Sequence, residues 1–392
     1  MREIKIPSVY QAGYEKASAL NPSLAAKYIE YTTIDDPIAD DAVESLVPFD
    51  TEEMTRLIKG GIDQDEKTLA NAPQPLRDFF DQIPPPPPWY NANAVRAGCQ
   101  AFHAYSDLFI PAFVVVTLQN ISTLIGKSFH MTGRVETKYG SRRIKQNIRH
   151  LIEIMLPGAL NRQGDGWKLS VRTRLIHAQI RHLIRASGTW DESIYGTPLS
   201  TAHIAFASAN FSTTLMDYAE RLGASLDAEA RVAFMQIWRC AGLLLGTPEE
   251  LLFEGDEAMA AELCRIALAC EPLPGEDAIM IAHALIKTLP DIAGKTDPAA
   301  RQSMVNHVYR VARALLGDEL ADQLEFPRQS TVGLLTWMKG MRQFVRVSHR
   351  MVPNLARKWR GNNFVFLLEA SALDDVSYRI PDHLKAEQAT PW

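Results

Sequence analysis

Apolar positions recur at three- and four-residue spacing over long windows: 103–126, 142–157, 168–186, 202–222, 227–245, 257–270, 276–289, 299–316 and 331–349. That period belongs to helices with one face in a core. Short β-branched runs in period-two alternation are scarce, and no Asn-Gly or Asp-Gly turn joins two apolar strands. The breaks between windows are helix punctuation. Pro157-Gly158 closes one helix, and Gly164-Asp165-Gly166 makes the loop before the next. Gly246-Thr247-Pro248 offers a stop, an N-cap and a proline suited to the first helical position. Ser225 or Asp227 can cap the helix that follows Gly223. The pattern predicts an all-α fold.

One segment departs from the pattern: Pro84 to Pro88, five prolines before Trp89-Tyr90. Such a run favours the extended polyproline conformation and cannot be helical. Without a second P-x-x-P element it reads better as a stiff connector than as a ligand for a signalling domain. It divides the chain into an N-terminal helical extension (1–83), a connector (84–90), a helical core (91–360) and a C-terminal tail (361–392).

Composition narrows the partners. The chain has 392 residues, 46% hydrophobic and 22% charged, with a net charge of -5. That balance gives no global electrostatic reason to seek nucleic acid or an anionic membrane. Four scattered cysteines, none in a C-x-x-C pair, suit a reducing compartment better than a disulfide framework. The first residues lack the apolar stretch of a signal peptide. The most apolar segment, Leu108 to Leu118, is interrupted by Pro111 and falls short of the roughly 20 residues a membrane span needs. A cytoplasmic protein without stable membrane insertion is expected.

Common enzyme signatures are missing. There is no phosphate-binding G-x-x-x-x-G-K-[ST], no dinucleotide glycine loop, no H-E-x-x-H and no G-x-S-x-G elbow. The paired E-x-x-H helices of di-iron bundles are also missing. What remains for chemistry is ten histidines and an arginine-rich pair of helices. In the window 168–186, Leu169, Ile176, Ile180, Leu183 and Ile184 form one stripe, and His177 lies beside it in line with Thr173. His182, five residues on, is rotated by about 140° and cannot share a metal with it. Arg172, Arg174, Arg181 and Arg185 surround the stripe. A histidine so placed is either a core residue satisfied by a backbone carbonyl or an axial ligand to haem. Haem needs an apolar slot, one imidazole, and cations to meet its carboxylates.

The hairpin carries a resemblance. The run from Thr132-Gly133-Arg134-Val135-Glu136 through Arg142-Arg143-Ile144, then Leu156 to Leu160, and above all Val171 to Arg181, resembles the rubber oxygenase (latex-clearing protein) and MpaB-type oxygenase family. Trp190, Gly196 to Leu199, and Ile237 to Glu250 continue the likeness, as do Pro88-Trp89-Tyr90 and Arg96-Ala97-Gly98 upstream. The resemblance implies a globin-like helical bundle enclosing haem b, with His177 as the iron ligand and Thr173, Arg174 and Arg181 at the cofactor. The first helix of the hairpin then supplies the distal side. Counting back without gaps, the family's arginine, lysine and threonine fall on Arg143, Gln146 and Asn147, so the arginine is kept and the other two are replaced. The family's glutamate falls on Lys127, and Glu136 is the nearest carboxylate. The implied activity is O2-dependent oxidation or cleavage of a C=C bond in an apolar substrate such as an isoprenoid. A haem carrier or gas sensor on the same fold is the alternative, and a cofactor-free helical interaction protein is a third.

Overall fold

The computed structural model describes residues 5–132, 140–162 and 164–351, side chains excepted at 140–143 and 345–351. Among them every regular element is helical. The N-terminal third holds α1 (Gln11–Leu20), α2 (Pro22–Tyr31), α3 (Pro37–Glu44), α4 (Thr51–Ile62), α5 (Glu66–Leu69) and α6 (Gln74–Gln82). The middle holds α7 (Arg96–Ala104), α8 (Ser106–Ile121), α9 (Leu124–Met131), α10 (Gly140–Ile154), α11 (Asp165–Ala186), α12 (Glu192–Tyr195), α13 (Thr201–Ala209) and α14 (Leu215–Leu222). The remainder comprises α15 (Ala228–Leu244), α16 (Glu257–Cys270), α17 (Glu276–Ile292), α18 (Pro298–Leu316), α19 (Asp318–Gln323) and α20 (Leu334–Met351).

The starts follow local chemistry. Asn21, Asp36 and Asp297 each accept a backbone N–H of the first turn and are followed by proline at the first helical position. Asp227 caps α15 as the sequence predicts. Gly98 lets α7 lie against α15, since a Cβ there would stand 2.7 Å from the Phe234 amide nitrogen.

Three expected boundaries change. The window 103–126 is split, because Tyr105 leaves helical geometry between α7 and α8, and Thr123 caps α9 through the Ile125 amide. The window 202–222 runs through a π-turn, Asn210–Thr214, between α13 and α14. The helix expected after Thr247-Pro248 is only a 3₁₀ turn, Glu249–Leu251. There Leu251, Leu252 and Phe253 are all buried in succession, which a one-sided helical face cannot arrange.

The proline run is no seam in the packing. Residues before it (Tyr28, Leu57, Phe79) and after it (Phe102, Trp167, Phe234) belong to one buried cluster. The connector is pinned where Arg239 lies 4.2 Å over the Trp89 ring and Tyr90 is buried. The joint between the two parts is ionic. On α11, Arg174 grips Asp36 at 2.5 and 2.8 Å, and Arg181 grips Asp40 at 2.8 Å and donates to the Leu199 carbonyl. Arg185 reaches Asp35 and Glu192 at the edge. Gly246, at φ +90°, fits beside the Arg174–Asp36 pair where a Cβ would collide with both partners.

No single described helix is long and apolar enough to cross a membrane. The α7–α8 pair passes a test of length and composition together, but it bends by 94° and α8 lies in the core. The four cysteines are free and buried. The expected C-terminal tail, 361–392, lies outside the described residues.

Removing one partner of a buried ion pair strands the other charge. Arg181→Met and Asp40→Asn should each lower unfolding free energy by about 3 kcal/mol. The double variant should lose clearly less than the sum, as measured by urea denaturation. Strict additivity would show that the pair is incidental.

Candidate active site

Helices α8, α9, α10, α11, α13 and α15 surround a cavity of about 130 Å³. Its wall is largely apolar, with Ile121, Ile125, Phe129, Phe211, Trp238 and Leu245 prominent. The π-turn between α13 and α14 serves this wall. It brings Phe211 onto the cavity, where it stacks on Phe113 at 4.9 Å and on Trp238 at 5.3 Å. Neighbouring Asn210, fully buried, donates to Asn120 at 2.8 Å.

Three histidines reach this cavity, and the structure distinguishes them. His203 is fully buried and held at both ring nitrogens: Ser200 Oγ lies 2.9 Å from Nδ1, and Tyr10 Oη and Glu271 Oε1 lie 3.1 and 3.2 Å from Nε2. Glu271 also accepts from Tyr28 at 2.8 Å and from the Leu124 amide at 3.0 Å. Burial alone would raise this carboxyl, but His203 and these hydrogen bonds hold it below the usual carboxylate range. Burial pushes the Tyr10 and Tyr28 phenols well up. His150 meets Ser170 Oγ at 2.9 Å, and burial pulls its pKa down to about 4. His177 stands on the wall one turn beyond Thr173, partly covered, on the apolar stripe of α11.

The sequence-predicted residues therefore divide. Thr173, His177 and Asn147 come together on the cavity, and Asn147, which is exposed, marks its rim. Gln146 is half-buried on α10 and stands beside the wall rather than on it. Arg143 falls within α10, but its side chain and the whole of Glu136 lie outside the described residues. Lys127 pairs with Asp277 at 2.9 Å. His182 points elsewhere, as its rotation requires.

Arg174 and Arg181 are a correction. Expected to meet the carboxylates of a cofactor, they are spent on Asp36 and Asp40 and do not line the cavity. A buried guanidinium needs a carboxylate close by, and α3 supplies two. Sequence reasoning had no signal for Phe211, which sits in the π-turn, or for Asn120 of α8, which Asn210 of that turn meets. Trp238 lay within a stretch that carried the resemblance but was given no role.

A second cavity, of about 320 Å³, lies between α8, α17, α18 and α20. Its lining is almost wholly aliphatic, including Ile110, Val114, Val115, Leu289, Met304 and Met338. Asp107, at its edge, is gripped by Arg342 at 2.6 and 3.0 Å. Ile148 of α10 also lines it, so α8 and α10 border both cavities.

Comparison with known proteins agrees with this architecture. A family model described as "ER-bound oxygenase mpaB/B'/Rubber oxygenase, catalytic domain" matches residues 100–349, more than half the chain. The rubber oxygenase of Streptomyces sp. (strain K30) is 23% identical over 282 residues, covering 70% of this chain and 66% of that protein. The match thus spans just under two thirds of that relative. The structure of latex clearing protein LCP in the closed state superposes with a TM-score of 0.67 at 19% identity, covering 86% of this chain and 91% of that one.

The Glu271 cluster ties two N-terminal helices to the cavity wall, and it should be sensitive to acid. A carboxyl depressed in the folded state stabilises fully above its unfolded pKa of about 4.3, and that stability is lost as pH falls through the folded value. Glu271→Gln should therefore reduce unfolding free energy by about 1–3 kcal/mol at pH 7. The gap from wild type should narrow on acidification below about pH 4.3. A gap independent of pH would mean that Glu271 is not ionised in the fold.

Proposed function

The chain belongs to the MpaB/rubber oxygenase family, and we propose that it is a haem b-dependent oxygenase. In this reading it uses O2 to oxidise or cleave a C=C bond in an apolar, isoprenoid-type substrate. The observation that carries it is the cavity itself: apolar walls and one imidazole, His177, on the exposed-to-cavity side of α11. The donor set suits a single-histidine haem site. His203 has both nitrogens engaged, His150 is held by Ser170, and no cluster of three metal-ligating side chains occurs among the described residues. When bound, haem would supply the iron and the redox chemistry that O2 activation needs.

The protein's share is placement and exclusion. His177 would hold the iron. Asn147, on the rim of α10, would offer an amide hydrogen bond to a polar group at the opposite side, with Arg143 one turn earlier on the same helix. The aromatic wall keeps water out, which strengthens every polar contact made inside. The aliphatic second cavity, bordered by the same two helices, would receive the part of a long apolar substrate that does not lie at the iron. Such a surface has little to offer a polar metabolite. Formation of oxidised products separates this reading from that of a haem carrier or gas sensor.

His177→Ala should purify without haem, judged by the loss of its Soret absorption, whereas His182→Ala should keep it. Full occupancy in both would remove His177 as the ligand. Val114→Trp, which fills the second cavity, should leave haem content unchanged. It should lower turnover of long-chain isoprenoids by about tenfold or more while sparing short ones. Equal effects on both lengths would detach that cavity from the substrate.

A further inference from the structure

Charge is unevenly spread along this chain. From Phe326 to Leu368 the sequence holds eight Lys and Arg and no Asp or Glu, in a molecule whose net charge is -5. Helix α20 runs through this basic stretch, and exposed apolar side chains gather on it and on its lead-in. Val332 is 88% exposed, Trp337 61%, Met341 46% and Phe344 69%. Trp337, Met341 and Phe344 fall within an arc of about 60° at 3.6 residues per turn, so they form one stripe. The helix holds the body by another side: Leu334 is buried, Met338 lines the aliphatic cavity, and Arg342 grips Asp107. Lys339, Arg346 and Arg350 occupy register positions within about 40° of one another, centred about 200° from Trp337.

An exposed apolar stripe of large side chains marks a surface that meets something. Charge selects the partner. A second copy of the chain would set one basic stretch against another, whereas a surface both apolar and anionic suits the stripe and the cations together. Helices with bulky apolar residues on one side and Lys or Arg on the other lie in the headgroup region of bilayers. Clusters of such cations are drawn to anionic lipid. We propose that α20 docks the protein on the surface of an anionic lipid membrane, with Trp337, Met341 and Phe344 at the boundary of headgroups and acyl chains and the basic residues toward the phosphates. This is attachment to one leaflet, and no single described helix is long and apolar enough to cross. The aliphatic cavity lined by Met338 would then lie on the inner side of the helix that meets lipid, beside a reservoir of apolar compounds.

Sedimentation of the full chain with vesicles tests this. Binding to equal parts phosphatidylcholine and phosphatidylglycerol should exceed binding to phosphatidylcholine alone by about tenfold. It should weaken several-fold as salt rises from about 0.1 to about 0.5 M. Trp337→Glu with Phe344→Glu should reduce binding by about tenfold or more. Both side chains are exposed, so helix content and the urea midpoint should not change. Lys339→Gln, Arg346→Gln and Arg350→Gln together should bring anionic vesicles down toward the level of neutral ones. The emission of Trp337, taken as wild type minus Trp337→Phe, should shift to the blue when anionic vesicles are added. Wild type that stays in the supernatant, or variants that bind as wild type does, would overturn the proposal. Two other results would overturn it by naming a different occupant. A wild-type dimer dispersed by the Glu substitutions, with no vesicle binding, would give the stripe to a second copy. Trp337 emission shielded from acrylamide before any lipid is added would give it to residues 352–392 of the chain itself.

Discussion

Buried guanidinium groups set the terms on which this chain folds. Helix α11 is covered on nearly every side, yet it carries Arg174 and Arg181 among its buried residues. Such charges are tolerated only when carboxylates meet them closely. Asp36 and Asp40 do so from α3, and Asp36 also caps that helix through the Ala39 amide. The N-terminal segment is thus required by the helix that bears His177. Removing it would strand cations directly behind the cavity wall.

That constraint also shapes the chemistry of the site. With its arginines turned outward to α3, α11 presents Thr173 and His177 to the cavity. The described wall is uncharged apart from what its histidines contribute. A second buried network, His203 with Glu271, Tyr10 and Tyr28, fixes the side formed by α13 and joins it to α1 and α2. Two sets of polar contacts from the N-terminal third therefore brace opposite parts of one apolar chamber. Between them lies a stack of three aromatic rings supplied by α8, the π-turn and α15.

Much of this was legible in the chain. The windows 168–186, 227–245 and 257–270 match α11, α15 and α16 to within three residues, because apolar positions recur at helical spacing through each and Asp227 and Asp256 cap the last two. Helical spacing put Thr173 and His177 on one face of α11, whereas Asn147, on α10, was set opposite them only by the resemblance; all three line one cavity. Breaks within apolar stretches were harder to read. Tyr105 and Thr123 interrupt 103–126 without a glycine, and a π-turn leaves no mark in hydrophobic period.

The sequence by itself determined an all-helical fold, the amphipathic hairpin, and one histidine on an apolar face with arginines around it. It could not determine what those arginines touch. A cation at a given helical position meets either a cofactor carboxylate or a protein one, and both satisfy the same local pattern. Only the tertiary structure brings Asp36 and Asp40, over a hundred residues away in the chain, against α11. Likewise, only packing decides that Trp238 faces a cavity with its N–H unmatched while His203 is engaged on both nitrogens. Spacing along a helix is a local property, whereas the partner of a buried polar group is chosen by whichever distant segment packs against it.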